Sequence, residues 1–361
     1  MRIMYCIPTL ECGGAERQLA GLVVELASLG HEVHVVFSRG GVTLDSLKAG
    51  GVATHEVGGG GNHDPKIFFS LVGLIRELKP DLVQTTLVQM DILGGAASLL
   101  TRTPWILQEL SSAPCYAAGW KNRLRARLGA RAGAIVSNSA GGVDYWRSQG
   151  ATRAPLHVIP NGIPLDEIAG AGPEGADGFG LGGAEKLVLY AGRMDGGKNV
   201  GNLIAALAQI ADDIPFHAVL CGDGPLRPSL EQLAGELGIR DRLVFPGYVE
   251  NPWALMKRAD VFAFVSRFEG SPCVVMEAMA CGCPLVVSDI PSHRELLDER
   301  SARFVNPEEP AEIAEAVMST LSSGEAALAR AASARAKVPE LSFETMARRY
   351  EQLYLSLIGK R

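Results

Sequence analysis

The feature that most constrains the fold is an alternation of short apolar runs, turns marked by glycine or proline, and amphipathic helical stretches. It begins at once. Residues 2–7 read as a buried strand, residues 8–14 as a turn, and residues 15–29 as a helix with Leu19, Leu22, Val23 and Leu26 on one face. Gly30 closes that helix, and residues 32–37 form the next strand. This β–α–β unit carries Gly13 and Gly14 at its first turn, where a parallel sheet offers a ligand crevice. The Gly-x-Gly-x-x-Gly dinucleotide fingerprint is absent, and a plain tight turn would also account for the two glycines.

The alternation continues with helices predicted over 66–78, 91–100 and 121–132, and strands over 82–86, 105–108 and 134–137. A strand running into the turn at Pro160-Asn161-Gly162 closes the first half. Residues 165–185 hold seven glycines and one proline without periodicity and read as an interdomain linker. A second series follows, with strands over 186–191, 217–221, 243–245, 261–265 and 285–288 and helices between them. After Pro307 the pattern is helical, over 310–321, 325–337 and 342–358. Ser342 can cap the last of these, and Met346, Tyr350, Leu353 and Leu357 make its apolar face. The fold class is therefore α/β, two Rossmann-like halves in series. A length of 361 residues, more than one core usually serves, agrees with two domains.

Composition excludes several classes. A net charge of −6 argues against general nucleic-acid binding. The seven cysteines are scattered, odd in number and mostly inside apolar runs, which fits reduced thiols in a cytosolic protein. Cys281-Gly-Cys283 is too tight for a zinc pair and has no second pair, so no metal is expected there. The N-terminus lacks the pattern of a signal peptide, and no run of 18 apolar residues occurs. The expected location is the cytoplasm.

Residues 268–284 carry the chemistry. They read as a loop, a short helix and a stop: Ser271 as N-cap, Pro272 at the first helical position, then Gly282 and Pro284 as terminators. From Val274 to Ala280 every position is apolar except Glu277, whose buried carboxylate needs donors that nothing nearby in sequence supplies. Glu269 stands at the mouth of the helix, where free N–H groups favour an anion. Two carboxylates around an anion site point to a ligand with both hydroxyls and phosphates, the composition of a nucleotide sugar. Arg193 and Lys198, after the strand 186–191, make a natural clamp for a diphosphate, although a surface loop with two basic residues is also common. Glu109 ends a strand, facing the expected cleft edge, and is a candidate polar contact, or a solvated strand end. Residues 120–131 carry Lys121, Arg123, Arg125, Arg127 and Arg131 with Trp120, Leu124 and Leu128 on one stripe. Such a helix can lie on an anionic membrane surface, or simply be a solvated face.

The whole set resembles the retaining glycosyltransferases of family 4 in the GT-B superfamily. Glu269 to Glu277 is similar to that family's Glu-x7-Glu motif, followed by its Ala-Met-Ala-x-Gly-x-Pro tail. Further likenesses are Gly13-Gly14-Ala15-Glu16, Ile159-Pro160-Asn161-Gly162-Ile163, Gly192-Arg193 with Lys198, Gly222-Asp223-Gly224-Pro225 and Phe245-Pro246-Gly247. Order and spacing agree over nearly the whole chain. The resemblance implies two Rossmann-like domains facing across a cleft: residues 1–164 on the acceptor side, with helix 342–358 packing back on them, and residues 165–341 holding the nucleotide sugar. It implies a UDP- or GDP-sugar donor and no further cofactor. Arg193 and Lys198 would hold the diphosphate with the backbone of Gly270, Ser271, Pro272, Cys273 and Val274. Glu277 would bind ribose hydroxyls, Glu269 the transferred sugar, and Gly13 and Gly14 would let backbone approach the donor phosphate. Many members place a histidine where this chain has Glu109, and residues 302–307 lack a glycine common in the family.

The chain contains no Asp-x-Asp metal clamp. The expected reaction is a metal-independent hexosyl transfer with retention, in which Arg193, Lys198 and the helix N-terminus meet the leaving-group charge. Glu269 stabilises the sugar, and a diphosphate oxygen takes the acceptor's proton. The expected acceptor is a glycan or lipid-linked hydroxyl of envelope polysaccharide or glycolipid synthesis, reached by peripheral contact at the inner face of the plasma membrane. A sugar-nucleotide epimerase of the same fold and a non-catalytic nucleotide-sugar-binding subunit are the alternatives.

Overall fold

The computed structural model describes residues 1–11, 13–58, 64–111, 119–149, 153–172 and 186–359. Its contacts divide the chain into two compact units, Met1–Ile163 with Leu341–Arg361, and Pro164–Glu340.

The first unit is a parallel sheet of seven strands, β1 (Arg2–Thr9), β2 (Glu32–Arg39), β3 (Ala53–Glu56), β4 (Leu82–Thr86), β5 (Trp105–Glu109), β6 (Ala134–Ser137) and β7 (Leu156–Val158), in the order β3-β2-β1-β4-β5-β6-β7. The helices between them are α1 (Gly14–Ser28), α2 (Thr43–Ala49), α3 (Pro65–Leu78), α4 (Leu87–Thr101), α5 (Trp120–Gly129) and α6 (Ala140–Ser148). Residues 3–7 of β1 are apolar without interruption because both faces of the strand are covered. Ile3, Tyr5 and Ile7 enter the core with Leu19 and Leu22 of α1, while Met4 and Cys6 enter the opposite one with Ile67, Leu71 and Ile75 of α3.

The second unit repeats the plan with six parallel strands, β8 (Lys186–Ala191), β9 (Phe216–Cys221), β10 (Leu243–Gly247), β11 (Val261–Phe264), β12 (Leu285–Ser288) and β13 (Arg303–Val305), ordered β10-β9-β8-β11-β12-β13. Its helices are α7 (Leu165–Gly170), α8 (Val200–Gln209), α9 (Arg227–Glu236), α10 (Trp253–Arg258), α11 (Cys273–Ala280), α12 (Pro291–Arg294), α13 (Pro310–Ser322) and α14 (Gly324–Arg335). The linker expected over 165–185 is corrected at its start. Leu165–Gly170 is helical, Ile168 is buried, and Lys257 Nζ donates to Ala169 O at 3.1 Å. Residues 173–185 lie outside the described residues.

The last helix, α15 (Phe343–Ile358), belongs to the first unit. Ser342 caps it by accepting from Thr345 N at 3.0 Å. Met346, Ala347, Tyr350, Leu353 and Tyr354 join the core that holds Ile3 and Tyr5. A buried polar chain adds to that packing. The Tyr5 and Tyr354 hydroxyls lie 2.6 Å apart, Tyr354 donates to Gln84 Oε1 at 2.6 Å, and Gln108 Nε2 donates to the Tyr350 hydroxyl at 2.9 Å. Among the described residues no helix is long and apolar enough to cross a membrane.

Candidate active site

Each sheet reverses its strand order once, between β1 and β4 in the first unit and between β8 and β11 in the second. Open α/β sheets take ligands at the carboxyl ends of the strands beside such a reversal. In the second unit those ends carry the loop after β8, with Arg193 and Lys198, and the loop after β11, with Glu269.

The loop after β8 is shaped by its own side chains and by a close backbone neighbour. Asp195 Oδ1 accepts from Gly197 N at 2.9 Å and Lys198 N at 3.2 Å, and the Tyr190 hydroxyl donates to Arg193 O at 3.0 Å. Met194 N donates to Asp223 O at 2.8 Å, and Leu226 N to Met194 O at 3.1 Å. Gly222 has φ +136°, and a Cβ there would lie 1.9 Å from Gly192 O. The Gly-Asp-Gly-Pro turn is thus a backing strip for the cationic loop, and glycine is what lets the two backbones touch.

The second loop locks onto the first. Arg267 N donates to Gly197 O at 2.8 Å and Arg267 Nη1 to Gly196 O at 2.6 Å. Lys198 Nζ lies 2.6 Å from Glu269 Oε1, with side-chain exposures of 25% and 10%, and 5.4 Å from the centre of the Phe264 ring. Arg193 is different: its side chain is 72% exposed, and its Nε is 3.7 Å from Asp195 Oδ2. The structure therefore pairs two residues that the sequence placed on different parts of a ligand, and leaves the second cation reaching into solvent.

Helix α11 begins one residue later than its sequence signals imply. Pro272 is the N-cap, with φ −78° and a non-helical ψ of 87°, and having no side-chain acceptor it leaves the first turn without a side-chain cap from that position. Gly270, Ser271, Cys273 and Val274 are half-buried around this start, and Pro272 is buried. Glu277 is 2% exposed, and the indole of Trp253, from α10, donates to its Oε2 at 3.1 Å.

In the first unit Gly13 is the extended N-cap of α1 and Gly14 its first residue, at the carboxyl end of β1. Glu109 is not a solvated strand end. It is fully buried: Oε1 accepts from Ser111 N at 2.9 Å, and Oε2 accepts from Arg125 Nη1 at 2.8 Å and Trp146 Nε1 at 3.0 Å. Arg125 Nε donates to Asp91 Oδ2 at 2.7 Å, and burial pushes the Asp91 carboxyl up to about 6 despite that cation. The basic face expected on 120–131 is corrected accordingly. Arg125 is 1% exposed and belongs to the interior, while Lys121, Arg123, Arg127 and Arg131 are exposed and Trp120 is 64% exposed.

Two groups had no sequence signal. Asp91 looked like an acid at a helix start, but α4 begins at Leu87 and places Asp91 on its buried face. His293, in the four-residue α12, is fully buried with Nδ1 2.8 Å from Ser288 O. Nothing in the run Ser288-Asp289-Ile290-Pro291-Ser292 marks it as more than a turn residue.

Comparison with known proteins agrees with this architecture. The family model of the glycosyl transferases group 1 matches residues 177–337, and that of the glycosyl transferase 4-like domain matches residues 13–162. A Campylobacter jejuni protein named GalNAc-alpha-(1->4)-GalNAc-alpha-(1->3)-diNAcBac-PP-undecaprenol alpha-1,4-N-acetyl-D-galactosaminyltransferase is 30% identical over 77% of this chain and 77% of its own length. The N-acetylgalactosamine-N,N'-diacetylbacillosaminyl-diphospho-undecaprenol 4-alpha-N-acetylgalactosaminyltransferase of the same organism is 32% identical over 44% of this chain. With that protein and two further curated relatives, the matched stretch spans only 36% to 47% of the relative's length. Among solved structures, HepE of Anabaena in complex with UDP shares the fold, with a TM-score of 0.87 and 22% identity over 99% of this chain and all of that one. The chain belongs to the group 1 glycosyltransferases, and its fold is GT-B.

Proposed function

We propose that the protein is a metal-independent hexosyltransferase that moves a sugar from a UDP- or GDP-sugar to an acceptor hydroxyl with retention of anomeric configuration. The observation that carries this reading is the 2.6 Å contact between Lys198 and Glu269 at the strand-order reversal of the second sheet. A lysine ammonium has three N–H donors. With one on Glu269, the others remain for a diphosphate, and this supports a place for the Glu269 carboxylate beside the bond that breaks. Arg193, exposed on the same loop, adds a second cation, and the first turn of α11 supplies backbone N–H groups. Glu277, which accepts from Trp253, is assigned the ribose hydroxyls.

In the transfer the bond between the anomeric carbon and the diphosphate oxygen breaks, and the bond to the acceptor oxygen forms on the same face. The acceptor proton passes to a diphosphate oxygen. Lys198 and Arg193 meet the charge growing on the leaving group, and Glu269 meets the positive charge growing on the sugar ring. The undecaprenol-linked substrates in the names of the Campylobacter relatives support a lipid-linked glycan acceptor. The exposed Lys121, Arg123, Arg127 and Arg131 of and beside α5, with Trp120, support contact with an anionic membrane surface. Solved complexes of HepE with UDP-glucose support a UDP-sugar.

The test is a thermal-shift panel of UDP-, GDP- and ADP-sugars, followed by turnover of Glu269→Ala with the best donor. One sugar nucleotide should raise Tm. Glu269→Ala should lose turnover by roughly 10²–10³-fold, the size of losing one preorganised charge contact, far more than it loses in Tm or UDP affinity. Unchanged turnover in Glu269→Ala, or an inverted anomeric centre in the product, overturns the assignment.

A further inference from the structure

The second unit contains a buried histidine to which the donor site assigns no task. His293 Nδ1 lies 2.8 Å from Ser288 O and 3.3 Å from Ser288 Oγ. A carbonyl oxygen only accepts, so Nδ1 carries the proton, and the neutral ring presents Nε2 as a bare acceptor. Burial first, with the Lys198 charge adding to it, lowers the ring to about 4, so it is neutral at pH 7. Nε2 is buried and has no partner among the described residues, and the same holds for the hydroxyls of the adjoining Ser292 and of Ser266. Ser266 belongs to the same cluster: its carbonyl accepts from Ser288 Oγ at 2.6 Å. Interiors rarely leave polar atoms unsatisfied, and two such groups on residues both tied to Ser288 mark a place prepared for a polar guest.

The position says which guest. The cluster lies at the carboxyl edge of β11 and β12, and both His293 and Lys198 approach the Phe264 ring, at 6.0 Å between ring centres and 5.4 Å from Nζ. A neutral acceptor is unsuited to a phosphate oxygen, which also only accepts, and suited to an O–H donor. We propose that His293 Nε2 accepts a hydrogen bond from a hydroxyl of the sugar carried by the nucleotide, which makes His293 a determinant of which sugar is taken. This rests on the donor-site assignment above. The phosphates go to Lys198 and Arg193, and the Ser266 hydroxyl, able both to donate and to accept, adds a second group for a polyol.

The experiment compares UDP with UDP-glucose, UDP-N-acetylgalactosamine and GDP-mannose by calorimetric titration of the full chain. His293→Asn keeps an N–H at the δ position for Ser288 O and removes the ε edge. Its UDP affinity should stay within twofold of wild type, while affinity for the preferred sugar nucleotide falls roughly threefold to tenfold, the loss of one neutral hydrogen bond. His293→Gln, whose amide reaches the ε position, should keep the wild-type ratio of sugar-nucleotide to UDP affinity, and it carries the comparison if the Asn variant does not fold. A His293→Asn protein that binds UDP and the sugar nucleotide as wild type does, or weakens both by one factor, overturns the inference alone, as does a His293→Gln protein whose ratio has collapsed. A wild-type chain that binds none of the three sugar nucleotides overturns the donor site and the inference with it.

Discussion

Arg125→Met tests how the first unit is held together around Glu109. Arg125 bridges Asp91 at 2.7 Å and Glu109 at 2.8 Å, and both carboxylates are fully buried. One cation thus serves two acids. Removing it leaves two like charges without a counterion, and breaking a buried pair in this way costs roughly 3–5 kcal/mol. Protonation limits the cost. The Asp91 carboxyl already sits at about 6 against an ordinary 3.8, burial outweighing the lowering influence of Arg125, and without the guanidinium it rises further. Because the folded-state value lies above the unfolded one, the native chain binds this proton more tightly. Asp91 therefore weakens folding progressively as pH rises from about 4 to about 6, by about 3 kcal/mol in all, and by a constant amount above that. In Arg125→Met the window extends above 6, so the variant should lie closer to wild type at pH 5 than at pH 8. Urea unfolding followed by tryptophan fluorescence suits the question, because Trp146 donates to Glu109 at 3.0 Å and Trp105 donates at 2.9 Å to Thr85, which in turn donates to Asp91. The expected deficit is roughly 3–5 kcal/mol at pH 8, smaller by about 1 kcal/mol or more at pH 5, and partly recovered by adding Asp91→Asn. A deficit below about 1 kcal/mol at pH 8, the worth of an exposed pair, or one that does not change with pH, refutes the reasoning.

Two further outcomes follow from contacts already described. Gly222→Ala puts a Cβ 1.9 Å from Gly192 O at φ +136°, so it should destabilise the second unit by about 2 kcal/mol or more and weaken UDP binding by displacing the loop of Arg193 and Lys198; a variant with wild-type Tm and UDP affinity would show that the turn does not set the loop. Tyr354→Phe removes the hydroxyl shared by Tyr5 and Gln84, and should cost about 1–3 kcal/mol in urea unfolding with UDP affinity unchanged; a cost too small to measure would mean that this hydroxyl adds nothing to the packing that holds α15.

Strands buried on both faces were the most legible elements. Leu82–Thr86, Ala134–Ser137, Lys186–Ala191 and Leu285–Ser288 have the bounds their apolar runs predict, because a continuous run between turn signals leaves little choice of register. The elements that escaped notice are short or contradictory. Strand β3 is four residues with no fully buried position, and β13 is three residues at a sheet edge. Helix α6 opens with Ala140-Gly141-Gly142, a turn by propensity, and forms because Ser139 accepts from Gly142 N and because Val143, Tyr145 and Trp146 are buried. Helix α4 starts four residues before the predicted residue 91, with Leu87 at φ +70°, since β4 passes into it with no intervening loop. That shift is what hid Asp91.

Site residues divide along a different line. A sequence shows that a polar group inside an apolar run needs a partner, but not where the partner comes from. Glu277 announces itself by standing alone between Val274 and Ala280, yet its donor is an indole 24 residues upstream on another helix. Lys198 and Glu269 are 71 residues apart and meet at 2.6 Å only because β8 and β11 are neighbours at the strand-order reversal. Glu109 shows the converse. Placed at the end of a strand, it has the local pattern of an exposed acceptor-side group, and tertiary structure gives it Arg125 and Trp146 instead. Its carboxylate is already held on both oxygens, and the contact with Arg125 could be given up only at a cost of the size worked out above. On the proposed function, the acceptor side is therefore to be sought first in groups that need not break a buried ion pair to reach a ligand, with Glu109 acting as the anchor of the chain around it.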